Sequence, residues 1–164
     1  MDTCGSPTQS LDRGTGHAHA ASPWPPPLPP RRSIRSWRPD ASVVTEARIH
    51  TRRIAVEWGA AQAGDIELIV SELITNAIEA SQPDWTITLR LFADDECFLV
   101  CVWDESDELP VIREAAEDDP DGRGLVIVEA LSESCGYIAG LHGGKTVWSR
   151  LRRQSSLSDP RAPG

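Results

Sequence analysis

The spacing of apolar side chains changes several times along the chain, and each change marks an element. After Pro39-Asp40, Val43, Ala47, Ile54 and Trp58 recur on one helical face and Gly59 stops the run, which predicts a first helix whose other face is basic, with Arg48, Arg52 and Arg53. A second stripe of Ile66, Ile69, Val70, Leu73 and Ala77 opens behind Gly64-Asp65 and closes before Pro83. From Trp85 to Phe92 the period falls to two, with Trp85, Ile87, Leu89 and Leu91 alternating against Thr86, Thr88, Arg90 and Phe92. Phe98 to Trp103 is apolar almost without a break, so these two stretches read as strands joined by the acidic turn Ala93-Asp94-Asp95-Glu96, an antiparallel hairpin. Leu125 to Leu131 reads as a short helix behind Gly124, and Cys135 to Ala139 and Thr146 to Leu151 as two last strands turning through His142-Gly143-Gly144. The order helix, helix, strand, strand, loop, helix, strand, strand predicts an α/β two-layer sandwich: a mixed, mostly antiparallel sheet with helices on one face.

The stretches without a period divide the chain. Residues 1–30 hold seven of the thirteen prolines among Gly, Ser, Thr and Ala. Such a composition buries too little apolar surface to offset the entropy of ordering, so it predicts a disordered, polyproline-like tail, with a second tail at 155–164. One domain is expected between them, over 31–154. Residues 105–121 carry eight carboxylates and two prolines, which predicts a mobile loop. The formal charge of -9 argues against nucleic acid as a partner, because that affinity rests on Lys and Arg neutralising phosphates. No run of eighteen apolar residues stands in the sequence and its start lacks the blocks of a signal peptide, so no membrane is expected and the cytoplasm is. Cys4, Cys97, Cys101 and Cys135 make no CxxC or Cys/His array and are read as reduced structural thiols.

Against this frame a few polar residues stand out. Glu72 and Asn76, four apart on the second helix, lie about 40° apart around its axis, one above the other. A carboxylate beside a core stripe needs a partner or a purpose, although a solvated helix-face Glu gives the same pattern. Asn76 adds a neutral oxygen that suits Mg²⁺, a hard cation that also takes phosphate oxygens. Asp104 closes an apolar strand, where it can be an acceptor for an exocyclic amino group or a plain turn residue. Gly122 and Gly124 remove side chains where a helix begins, which lets backbone N–H groups approach phosphate or merely forms a turn.

Taken in order, Val70-Ser71-Glu72-Leu73-Ile74-Thr75-Asn76-Ala77, Asp104-Glu105-Ser106, Gly122-Arg123-Gly124-Leu125 and Gly144-Lys145-Thr146-Val147-Trp148 resemble the Bergerat-type ATP-binding domain of the GHKL superfamily. Within it the likeness is to small anti-sigma-factor serine kinases and their actinobacterial regulatory relatives, over roughly Arg35 to Leu151. The resemblance implies ATP and Mg²⁺ as cofactors, with Glu72 as general base and Asn76 as the Mg²⁺ ligand. It makes Asp104 the acceptor for the adenine amino group, supported by Thr146 directly or through water. Ser106 in the turn behind Asp104 and the glycine box of Gly122 and Gly124 complete the nucleotide set, and the acidic loop becomes the lid. Arg123 joins that set, at phosphate or at a partner, or is a solvated helix-start residue, and Lys145 has the same choice between contact and solvated residue. The implied partners are an anti-anti-sigma protein, phosphorylated on serine, and a sigma factor, with a homodimer as the implied assembly. A nucleotide-gated binding module without phosphoryl transfer is the other function compatible with the same residues.

Overall fold

The computed structural model describes Gln9–Ser10 and residues 31–110 and 124–153. Its elements are β1 (Gln9–Ser10), β2 (Arg31–Trp37), α1 (Ser42–Glu57), α2 (Ala63–Glu79), β3 (Ile87–Ala93), β4 (Cys97–Asp104), α3 (Gly124–Leu131), β5 (Ser134–Ala139) and β6 (Lys145–Arg152). The strands lie in the order β1-β5-β6-β4-β3-β2 and every described pairing is antiparallel. The expected two-layer sandwich is therefore present. Ile87, Leu89 and Leu91 of β3, Phe98, Val100 and Val102 of β4, and Val147 and Leu151 of β6 turn to one face and meet α1 and α2 in a single core.

The helices form where their apolar stripes need cover. Ile66, Ile69, Val70, Leu73 and Ala77 are all buried, and Ile74 joins them. Burying each such aliphatic side chain contributes about 1.5–3 kcal/mol, so α2 is the principal anchor of the helical layer. Val43, Ala47, Ile54 and Trp58 of α1 are buried as expected. On its basic face, Arg48 and Arg52 reach Glu67 of α2 at 2.9 and 3.4 Å, which ties the two helices at their solvent edge. Gly59 ends α1 with φ +70. Its N–H donates to the Val56 carbonyl at 3.0 Å and that of Ala60 to Ala55 at 2.8 Å, the paired bonds of a Schellman cap. Arg31 and Arg153 donate to the Trp58 carbonyl at 2.8 and 2.7 Å, placing cations at the negative end of the helix.

Two elements depart from the sequence reading. β2 was not expected, because Arg31-Arg32-Ser33-Ile34-Arg35-Ser36-Trp37 has no apolar alternation. It is an edge strand held by polar contacts: Ser33 Oγ with His50 Nε2, Ser36 Oγ with Thr88 Oγ1, and Trp37 Nε1 donating to Glu46. Gln9–Ser10 pair with Tyr137 and Gly136 of β5, a strand that the sequence reading did not include. The rest of that tail, the second tail at 155–164 and most of the acidic loop lie outside the described residues. Among the described residues no helix is long and apolar enough to cross a membrane. Cys97 and Cys101 are free thiols. Burial pushes the Cys101 thiol up to about 12, which keeps it in the unreactive protonated form.

Candidate nucleotide site

The core-facing rows of the sheet change character at one end. Leu89, Val102 and Val147 lie side by side on β3, β4 and β6, and two residues further on the same row reads Ile87, Asp104, Lys145. Side chains alternate along a strand, so Asp104 and Lys145 must face the helices, as the apolar residues before them do. Beyond them a cleft of about 330 Å³ opens between sheet and helices. Leu73, Asn76 and Ala77 of α2 line one wall, Val102, Asp104, Lys145 and Val147 the floor, and Gly124 and Leu125 of α3 the far side. Its size suits a small molecule, and its lining mixes apolar side chains with Asn76, Glu79, Asp104, Glu108 and Lys145.

At the sheet end, Lys145 Nζ donates to Asp104 Oδ1 at 2.8 Å, with side-chain exposures of 5% and 1%. The Ser106 N–H donates to the same oxygen at 2.9 Å. Both bonds from described residues use Oδ1. Burial pushes the Asp104 carboxyl above the usual carboxylate range, while Lys145 and the Ser106 N–H pull it back. Ser106 is itself buried; its hydroxyl accepts the Glu108 N–H at 3.1 Å, closing the turn behind β4.

Gly144 brings the last strand in. With φ +75 it adopts a conformation that favours glycine, and a Cβ there would stand 2.5 Å from the Asp104 carbonyl oxygen. Its N–H donates to Asp107 Oδ1 at 2.9 Å, so the turn before β6 is tied to the loop after β4. Asp107 carries no motif signal; only the fold brings it to Gly144.

At the helical end, Glu72, Asn76 and Gly124 meet although 52 positions separate the first from the last. A Cβ on Gly124 would lie 2.7 Å from Glu72 Oε2 and 3.7 Å from Asn76 Oδ1. The glycine therefore lets the start of α3 close onto the Glu/Asn face of α2. Glu72 itself stands one helical turn beyond the cleft lining, which includes Asn76 and Gly124. Burial first, and the negative charge of Glu79 second, raise the Glu72 carboxyl above its ordinary value.

Of the residues expected in the site, the structure thus brings Asn76, Asp104 and Gly124 to one cleft, with Glu72 at its edge and Ser106 beneath Asp104. Gly122 and Arg123 lie outside the described residues. Thr146 is a correction. It pairs with Trp103 across β4 and β6, so it faces away from the helices, and Lys145 holds the place beside Asp104. The alternation of the strand is the reason: Lys145, Val147, Ser149 and Leu151 are its buried set. Lys145, open in the sequence between a phosphate or partner contact and a solvated residue, sits on the Asp104 carboxylate. Buried polar residues in a short strand leave no periodic trace that separates one register from the next, so sequence did not choose between 145 and 146.

Chemically, the cleft offers an acceptor at its sheet end, suited to an amino group on a planar base. Asn76 offers a neutral oxygen at its helical end, suited to a hard cation that carries phosphate oxygens. Among the described residues no group of three or more His, Cys, Asp or Glu side chains converges on a metal position. A cation here would depend on ligand oxygens as well as on Asn76.

No curated protein matches the chain. Among solved structures, that of the RsbU and RsbW domains of Rv1364c from Mycobacterium tuberculosis is similar in fold, with a TM-score of 0.55 and 20% identity over 75% of this chain. The chain spans about a third of that protein's length, 32%. The nucleotide-free catalytic domain of the histidine kinase ThkA gives a TM-score of 0.48 at 14% identity, covering 74% of this chain and 97% of that one. The histidine kinase-like ATPase domain matches residues 37–151, a span holding every site residue named above. The chain belongs to the histidine kinase-like ATPase domain family.

Proposed function

We propose that the protein is an ATP-binding regulator that phosphorylates a serine of a small anti-anti-sigma partner and binds a sigma factor in alternation, working in the cytoplasm. The observation that supports it most is the meeting of Glu72, Asn76 and Gly124 at one end of a cleft that has Asp104 at the other. Membership of the ATPase family supports the nucleotide, and the fold likeness to a chain containing an RsbW domain agrees with the anti-sigma-kinase resemblance.

On this reading Asp104 accepts the amino group of adenine and the apolar floor of Val102 and Val147 takes the ring. The N-terminal turn of α3 approaches the phosphates, because Gly124 leaves its backbone uncovered there. Mg²⁺, when bound, supplies neutralisation of charge on the phosphates, and Asn76 is the residue that would hold it. Glu72 takes the proton from the attacking serine hydroxyl. Partial burial suits it to this work, since a carboxylate whose pKa is raised above its ordinary value is the stronger base once ionised. There is little covalent work for the protein beyond that proton, so catalysis rests on positioning and charge.

The test is incubation of the full chain with γ-labelled ATP, Mg²⁺ and candidate anti-anti-sigma proteins. Label on a partner serine is the expected result. If partner binding responds to ATP while no phosphate moves, the protein is a nucleotide-gated binding module and Glu72 is not a base.

A further inference from the structure

Lys145 is the one cation lining the cleft among the described residues, and the proposed chemistry leaves it unused. Its ammonium is 5% exposed, lies 2.8 Å from Asp104 Oδ1 and has a second, longer contact of 3.5 Å to the Ser106 carbonyl. A buried ion pair is a poor device for stability, because the desolvation of two charges offsets most of their attraction. Its position at the closed end of a ligand cleft calls for another reason. The surroundings of Asp104 supply one. Its neighbour on β3 is Ile87, and α2 presents Leu73 and Ala77 to the same cleft. The other charged groups lining it are the carboxylates of Glu79 on α2 and Glu108 after β4. Apolar cover opposes an ionised Asp104; Lys145, which supplies the opposing charge, and the Ser106 N–H favour it.

We propose that Lys145 is a positioning residue for base recognition: its ammonium holds the Asp104 carboxylate ionised, with Oδ1 engaged and Oδ2 left as acceptor for the amino group of an adenine nucleotide. A protonated Asp104 would present a donor toward that amino group, which is itself a donor, and recognition would fail. Lys145 thus does from the core face of β6 what Thr146, on the opposite face, has no access to do. This rests on the adenine-nucleotide reading of the cleft.

The experiment is calorimetric titration of ADP with Mg²⁺ into the full chain, in buffers of different ionisation enthalpy, from about pH 6 to 9, a window above the ordinary carboxylate range. Wild type should bind with level affinity and no proton exchange. Lys145→Met should release about one proton per ADP, and its affinity should rise with pH by up to about tenfold per unit, because binding then requires Asp104 to ionise. A Lys145→Met protein whose affinity is unchanged, or is lowered equally at every pH without proton release, overturns the proposal, since Lys145 would then only pack. Should Lys145→Met fail to fold, Asp104→Asn is compared with the double variant Lys145→Met/Asp104→Asn, which buries no charge at either position. Equal ADP affinity supports action through the Asp104 charge alone, and a gap of roughly tenfold or more, about 1.4 kcal/mol, overturns it. Absence of ADP binding by wild type overturns the nucleotide reading and this inference with it, whereas binding by wild type with an indifferent Lys145→Met removes the inference alone.

Discussion

A carboxyl partly withdrawn from water, as that of Glu72 is, would serve the proposed base role at some expense to the fold. Its raised pKa in the folded chain means that folding disfavours its ionised form. That penalty is absent below the unfolded pKa, grows as pH rises through the interval up to the folded pKa, and is complete above it. Glu72→Gln should therefore raise the melting temperature at neutral pH, and the gain should vanish below about pH 4, the ordinary range of a free Glu. The same substitution should lower phosphoryl transfer by roughly 10² to 10⁴ while ATP affinity changes far less. A melting temperature lower than wild type at neutral pH would show that Glu72 is held by interactions rather than strained. Gly124 offers the complementary case. In Gly124→Ala the new methyl meets Glu72 Oε2, the movable end of a side chain, so the fold yields and the carboxylate is displaced. Helix propensity favours Ala by about 1 kcal/mol, so denaturant unfolding should show unchanged or greater stability while single-turnover transfer falls. Glu72, Asn76 and Asp104 were legible as residues because polar groups beside apolar stripes stand out. Which of Lys145 and Thr146 faces Asp104 was not, because one residue of register decides it and no local signal fixes the register.

The elements were legible in proportion to their periodicity. Both long helices and the β3–β4 hairpin lie where the apolar spacing put them, within a few residues, because each buries a continuous stripe in the core. β2 was missed since its stability comes from side-chain hydrogen bonds to α1 and β3, which a hydrophobic pattern does not encode. The turn between β5 and β6 was read from its glycines, but the reason for Gly144 is visible only in three dimensions: a Cβ there would meet the Asp104 carbonyl and the Trp103 ring. Gly144→Ala cannot be relieved by moving a flexible side-chain end. The left-handed conformation alone costs a non-glycine residue about 1–2 kcal/mol, and the backbone clash adds to it. Urea unfolding should show at least that loss together with weakened nucleotide binding, since Asp104 must move. Wild-type stability in Gly144→Ala would mean that the turn is free to rearrange.

For the molecule as a whole, net charge and cleft composition set the terms on which a polyanion can enter. With a formal charge of -9, and Glu79 and Glu108 beside the cleft, ATP meets repulsion that Lys145, already paired, does little to offset. Affinity for ATP should depend steeply on Mg²⁺: chelation with EDTA should weaken ATP binding more than ADP binding, because one phosphate more is left uncompensated. Equal affinity for both nucleotides in EDTA would mean that cations outside the described residues do this work. Every role proposed for these residues requires the cleft to be an adenine-nucleotide site read by Asp104. Calorimetric titration of ATP with Mg²⁺ into wild type and Asp104→Asn tests that most directly. The prediction is saturable binding by wild type, weakened in Asp104→Asn by about 1–3 kcal/mol, roughly 5- to 150-fold, for loss of a charged hydrogen bond. No binding by a folded wild type at millimolar nucleotide, or equal affinity in the two proteins, would contradict it.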